Sequence, residues 1–442
     1  MTTTHPFRVP AFFAALAITF AFGATPANAL AQRGGAPPQD VPILIRDVTV
    51  IDGTGAAGRA HLDVVLRGGK IASISRTGAA AAPAPDSVID GRGLFAIPGI
   101  IDAHVHMGTG PWDARAAVMR SALMGGVTSV LDLAGDSRAT SDLQRAVIAG
   151  QIPGPHIYYI ALVGGPAFFT DPRVLDASRG YTAGTAPWMQ VLTDTTDFAR
   201  TINVARGTGA MAIKLYAALD SAAVARATAE AHRQGMKVFA HATTFRGLPS
   251  DLVTAGADML THTPYLVWQG SPRTPDFPAR ARGDFLGVPA GSLVMEHLLT
   301  SMRDRGVALN PTHWVFESQA ADSVAAVRTP WMYAVTRRAA ELGVRIVSGT
   351  DGLYDARRDS LPMIHRELEL LVAGAGLTPL QAITSATRNG AWAVGAESVT
   401  GTLAVGMAAD VVLLGADPSV DIRNTRAVRV VIQDGKVVRP AK

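Results

Sequence analysis

No cysteine occurs in the 442 residues, so no disulfide staples this fold, and stability must come from a packed core and from bound metals. Charge is scarce as well: charged residues are 17% of the chain and the formal net charge is only +4. With no long Lys/Arg run, this composition excludes a disordered chain and a nucleic-acid-binding tail, and the basic residues read as scattered over a solvated surface. No Gly-x-Ser-x-Gly elbow stands near a plausible triad, which argues against a nucleophilic serine. No phosphate-type glycine loop follows the first apolar β run of the middle region, which argues against a doubly wound sheet.

What is present begins with His5 and Arg8 ahead of an apolar run, 11–22, followed by the small-x-small pattern Ala27-Asn28-Ala29. The run is shorter than the roughly 20 residues of a bilayer span. Residues 1–29 are therefore expected to be a signal peptide, with an uncleaved anchor as the alternative. The mature chain is expected in the periplasm or secreted, with no stable membrane association after cleavage. Residues 30–41, with Gly34-Gly35 and Pro37-Pro38, read as a linker.

Residues 42–97 and 398–442 are rich in short β runs with Gly-containing turns, such as 43–53, 63–71, 409–414 and 428–438. They are expected to form the two parts of one small β-sandwich built from both chain ends, although two separate small sheets would fit equally. Between them, 98–397 alternates apolar β runs with helical segments. Eight runs stand out: 100–106, 128–133, 156–162, 212–217, 237–241, 259–263, 308–312 and 345–348. Eight βα units predict an α/β fold, a (β/α)8 TIM barrel, with the active site at the C-terminal strand ends. In the last helical stretch Thr378 caps, Pro379 suits the first turn, and Leu380, Ile383, Thr387 and Ala391 recur at helical spacing.

The chemistry-bearing residues fall at those strand ends. His104 and His106 end the first run two residues apart, so both imidazoles project to one face as a partial divalent-cation site. Lys214 interrupts an apolar strand, and burial pushes an amine towards its neutral form. A neutral amine reacts with carbon dioxide to give a carbamate, an N6-carboxylysine whose two anionic oxygens can bridge two cations. His241 ends the fifth run, His262 the sixth, and Asp351 follows the eighth. Each alone has a structural reading: a satisfied core histidine, a lysine paired with an acid, an aspartate capping a helix. Their convergence on one rim points to metal.

The stretch Pro98-Gly99-Ile100-Ile101-Asp102-Ala103-His104-Val105-His106 resembles the strand-one motif of the amidohydrolase superfamily. Residues 377–387, and 401–412 with Gly401-Thr402-Leu403 and Ala409-Asp410-Val411-Val412, look like its closing helix and sandwich return. The resemblance covers nearly the whole mature chain and is nearest to the imidazolonepropionase-like and prolidase-like branch. It implies two divalent metal ions, usually zinc. His104, His106 and Asp351 would hold the first; carboxylated Lys214 would bridge to a second on His241 and His262. Imidazolonepropionases work with one metal and lack such a lysine, so Lys214 argues against that activity.

The implied mechanism is attack of a metal-bridging hydroxide on an amide of a small molecule, a dipeptide or N-acyl amino acid. Asp351 would serve as general base and then general acid. Tyr216 shares strand parity with Lys214 and could steady an oxyanion, or simply pack. His313 and Trp314, after the seventh run, are candidates for catalytic or substrate contact, and Arg357 and Arg358 for a carboxylate, although such arginines are more often solvated. A lactone, cyclic amide or phosphotriester substrate stays open, as does a non-catalytic scaffold. The expected assembly is a homo-oligomer with no nucleic-acid partner.

Overall fold

The computed structural model describes residues 42–79, 87–107, 110–271, 273–319, 324–355 and 359–438. The expected signal segment, the linker, Arg357 and Arg358 lie outside the described residues. Among the described residues no helix is long and apolar enough to cross a membrane.

The two chain ends meet in one eight-stranded sheet. Its joint is the antiparallel pairing of Val411–Leu414 with Phe95–Pro98, in register Val412 with Ile97. All four residues of Val411–Leu414 are buried, because side chains on a strand alternate and both faces here are covered. Val411 and Leu413 enter the core of the terminal sheet, with Ile45, Val64 and Ile71. Val412 and Leu414 enter the core of the central α/β region. One strand thus clamps two cores together.

The strands from both chain ends hydrogen-bond into a single sheet, not two separate ones, and it branches at Ile43–Val50. The first half of this strand pairs in parallel with Ser87–Asp90 and the second half with Phe95–Pro98. The register breaks between Ile45 and Val48, where Asp47 takes a left-handed φ of 57°. The Asp47 amide donates to Asp63 Oδ1 at 2.9 Å, which replaces the lost ladder bond.

The middle region is α/β with parallel strands, and its strand ladder departs from the expected eight continuous units. Ile100–Val105, Val127–Asp132 and His156–Tyr159 form one sheet. Ala161–Gly164, Ala212–Leu215, Lys237–His241, Met259–Thr261 and Ala308–Asn310 run in parallel in a second. The run expected at 156–162 is therefore two strands, broken at Ile160, each serving a different neighbour. The eighth run, 345–348, forms no strand. It is held by an isolated bridge from Leu309 to Ile346 and by Ala103 N donating to Ser348 O at 3.1 Å, with a further bridge from Val105 to Gly352 just beyond it.

The helix predicted from Thr378 forms as Pro379–Ser385, with Thr378 and Gln381 in a reciprocal capping box. It stops short of Ala391, which belongs to a second helix, Arg388–Ala393, because Thr387 between them leaves the helical region at φ −126° and ψ −88°.

Candidate metal centre

Six side chains from four strand ends and one loop converge. His104 ends beside Asp351, with Nε2 to Oδ1 at 3.2 Å, and His106 Nε2 lies 2.8 Å from the same oxygen. Lys214 Nζ is 3.3 Å from His104 Nε2. The His262 ring is 5.0 Å from His104 and 4.6 Å from His241, centroid to centroid. Lys214 and His104 are fully buried, and His241 and His262 nearly so. Asp351 keeps 21% and His106 34% of its side chain exposed, which opens the cluster towards solvent on their side.

The rim backbone is strained where these residues are presented. Ala218, Phe245, His262, Thr312 and Asp351 all have φ between 53° and 73°. The left-handed region costs an L residue about 1–2 kcal/mol, so five such residues following strands of one rim point to a functional demand. Asp351 is held there by its amide donating to His104 O at 2.7 Å.

A layer of partners behind the cluster fixes which ring nitrogen faces inward. His104 Nδ1 donates to Asn310 Oδ1 at 2.7 Å, and Asn310 cannot flip because its Nδ2 donates to Val347 O at 2.8 Å. His106 Nδ1 donates to Ala134 O at 2.9 Å. His262 Nδ1 meets Thr312 Oγ1 at 2.8 Å. Asp102, fully buried, accepts from Thr350 Oγ1 at 2.8 Å and from the Thr350 amide at 3.1 Å, tying the Asp351 turn to the first strand. None of this layer was singled out from the sequence. Asn310, a polar residue ending an apolar run, was the available signal; Asp102 lay in the quoted motif without a role.

This arrangement fits a cation. With their Nδ1 protons committed, His104 and His106 turn Nε2 lone pairs towards the Asp351 carboxylate, an approach of like partial charges that a shared positive ion relieves. The three ligand atoms lie within 4.8 Å of one another. A tetrahedral site with bonds near 2.1 Å places ligand atoms about 3.4 Å apart, close to the distances seen. Both ring nitrogens of buried His241 lack a hydrogen-bond partner, a costly state that metal ligation removes.

Burial favours neutral imidazoles here, although at His106 the Asp351 carboxylate outweighs it and raises the ring above its ordinary value. Burial brings His104 down to about 4 and puts His241 and His262 well below the usual histidine range, so all three are neutral imidazoles with a lone pair to offer. Burial alone would raise Asp351, but His104 and His106 hold it well below the usual carboxylate range. Burial brings Lys214 down to about 8.

Tyr216 sits at this centre, its ring 4.0 Å from His241 and stacked on Phe168 at 4.3 Å. Burial pushes its phenol above the usual range, so it stays a hydrogen-bond donor. Trp314 reaches the rim: its Cζ3 lies 2.7 Å from where a Cβ on Gly352 would stand. His313 corrects expectation. Its Nε2 bonds Thr336 Oγ1 at 2.9 Å and its ring packs on Tyr333 at 4.9 Å, so it faces the Ala325–Leu342 helix and not the cluster. The cause is Glu367, whose two oxygens accept from the His313 and Trp314 amides at 3.0 and 2.7 Å and set the direction of this turn.

A second group, His156, Asp410 and Asp434, gathers at the opposite strand end, since His156 begins its strand. Asp410 accepts from the Asp434 amide and from Thr400 Oγ1, both at 3.0 Å, and His156 Nε2 lies 3.0 Å from Asp434 Oδ2. These bonds join the terminal sheet to the central region.

Residues 95–438 match the Amidohydrolase family. The chain belongs to that family. The relatives it resembles include imidazolonepropionases, and the solved structures it resembles include prolidases. The ochratoxinase of Aspergillus niger is 27% identical over 394 residues, 78% of this chain and 75% of that protein. The imidazolonepropionase of Syntrophobacter fumaroxidans is 39% identical over 90 residues, 20% of each chain. The chain spans about a fifth of the length of this relative and of others of comparable identity. A solved Xaa-Pro dipeptidase with bound methionine superposes with a TM-score of 0.69 at 22% identity, covering 90% of this chain and 100% of that one. At that identity the likeness shows the fold alone: a TIM-barrel-type amidohydrolase fold with a second domain.

Proposed function

We propose that this amidohydrolase-family chain is a hydrolase of amide bonds in small molecules, dipeptides or N-acyl amino acids, dependent on two divalent cations, most simply zinc. The observation that carries the reading is the pair of inward Nε2 lone pairs of His104 and His106 held against Asp351 Oδ1. His104, His106 and Asp351 would hold one cation, His241 and His262 the other, with Lys214 as its carbamate between them. When bound, such a pair supplies an acidified water and polarises the scissile carbonyl.

The chain's own groups complete the chemistry. A Lys214 amine titrating near 8 is neutral in about a tenth of molecules at pH 7, which suffices to react with carbon dioxide, losing one proton. Asp351, partly open to solvent and ionised, takes the proton of the attacking water and returns it to the leaving amine. Tyr216, kept protonated by burial, donates a hydrogen bond to the oxygen that becomes negative as the carbonyl is attacked. The buried aromatic wall of Phe168, Tyr216 and Tyr265 excludes bulk water and strengthens these interactions.

The test is metal analysis of purified protein together with a panel of dipeptides, N-acyl amino acids, lactones and phosphotriesters assayed with zinc restored. About two metals per chain and preference for amides are expected. Much less than one metal per chain would return the molecule to a scaffold, and preference for a lactone or phosphotriester would overturn the amide assignment.

A further inference from the structure

Two arginines outside the cluster stand at its mouth, and both meet the same phenylalanine. Phe277 lies in the loop after the sixth strand, its ring 6.2 Å from His241, 5.5 Å from Tyr216 and 5.3 Å from Phe168. It is half-buried, so one face lines the entrance. The Arg280 guanidinium lies 4.1 Å from this ring and that of Arg173 lies 5.8 Å from it. Arg173 lies in the first turn of the short helix Pro172–Ala177, which follows the strand Ala161–Gly164, so two separate loops bring the charges together.

Each guanidinium also acts electrostatically on a tyrosine of the pocket wall, Arg173 on Tyr216 and Arg280 on Tyr265. Those rings in turn lie 4.0 and 5.7 Å from His241. Aromatic side chains thus run from the metal ligands to the two cations. The local charges do not cancel. Asp171 pairs with Arg173 at 2.8 Å and also feels the charge of Arg280, while Arg280 itself forms no ion pair among the described residues and donates to the neutral Phe277 O at 3.1 Å. Arg173 remains 61% exposed, and a guanidinium in that setting is a ready partner for an incoming carboxylate.

We infer that Arg173 and Arg280 form the site for a substrate carboxylate, with the adjoining side chain of the substrate laid on Phe277. The substrate class narrows accordingly to N-acyl amino acids or dipeptides that end in a free carboxylate and carry an aromatic or large apolar residue. This rests on the hydrolase reading for its substrate type, but its test reads binding and needs no turnover.

The probes are N-benzyl-phenylalanine, whose amine replaces the scissile amide, and its carboxamide, titrated calorimetrically into zinc-loaded protein. The acid is expected to bind about tenfold or more tightly than the carboxamide, the size of one charge-assisted contact. Arg173→Gln and Arg280→Gln should each shrink that ratio, and the double variant should bring it close to one. Equal affinities in the unaltered protein overturn the inference, and need no variant to fold. An undiminished ratio in the folded double variant overturns it equally. If amides are cleaved but their terminal carboxamides are cleaved as well as the acids, this inference fails and the hydrolase reading stands. If no amide is cleaved while the acid still binds preferentially through both arginines, the opposite holds.

Discussion

Gly349 tests how tightly the metal-facing geometry is built. A Cβ added there would stand 2.5 Å from His104 Cβ, 2.7 Å from His104 N and 2.7 Å from Asn310 Nδ2. Ordinary contacts between such atoms are about 3.5–4.0 Å, so something must move by about 1 Å. Neither neighbour yields easily. His104 N and Cβ belong to a fully buried strand, and Asn310 is pinned between His104 and Val347. Overpacking of this kind costs roughly 1–3 kcal/mol, and the rigid neighbours put Gly349→Ala near the upper end. A displacement of about 1 Å at a catalytic group can cost on the order of 100-fold in rate. The left-handed region is not involved, so the effect is steric. Urea unfolding, metal content and amide hydrolysis of Gly349→Ala should all fall relative to Gly291→Ala, whose new Cβ meets nothing within 4 Å. Identical unfolding midpoints and metal contents for the two variants would refute the reasoning.

Lys214→Ala is expected to leave fewer than two metals per chain and to lower amide turnover by about 100-fold or more, read by elemental analysis and steady-state assay; unchanged values would remove Lys214 from the centre. Asn310→Ala frees the His104 Nδ1 proton and should weaken metal affinity by roughly 10–100-fold in a chelator competition, with the fold retained by circular dichroism. His365, remote from the cluster, donates from Nε2 to Gly125 O at 2.9 Å, and burial brings it down to about 4. Its folded pKa lies below its unfolded value of 6.5, so the unfolded chain binds the extra proton. Stability from this group is full above pH 6.5 and is lost as pH falls towards 4, by up to about 3 kcal/mol. His365→Gln should therefore flatten the stability profile between those pH values; an equally steep profile would assign acid sensitivity elsewhere.

Much of the molecule was legible because its signals are local. An apolar run closing on a histidine or lysine shows both a strand and what the strand end presents, which is how His104, His106, Lys214, His241 and His262 could be proposed to meet. Thr378-Pro379 marked a helix start for the same reason. What stayed hidden depends on partners far along the chain. The division of 156–162 at Ile160 arises because its halves pair with different strands. The Arg345–Ser348 run cannot show from composition that an isolated bridge and a few backbone bonds, rather than a strand ladder, will hold it. His313 was misplaced because Glu367, 54 residues away, sets the turn that carries it. Arg173 and Arg280 sit in Gly/Pro-rich loops where nothing local tells a solvated arginine from one brought over an active site.

The most direct measurement is anomalous diffraction at the zinc edge from crystals of the zinc-loaded protein. Two peaks are expected, one among His104, His106 and Asp351 and the other at His241 and His262, with the Lys214 amine carrying extra density between them. A lone peak at His156, Asp410 and Asp434, or none within the histidine cluster, would contradict the account.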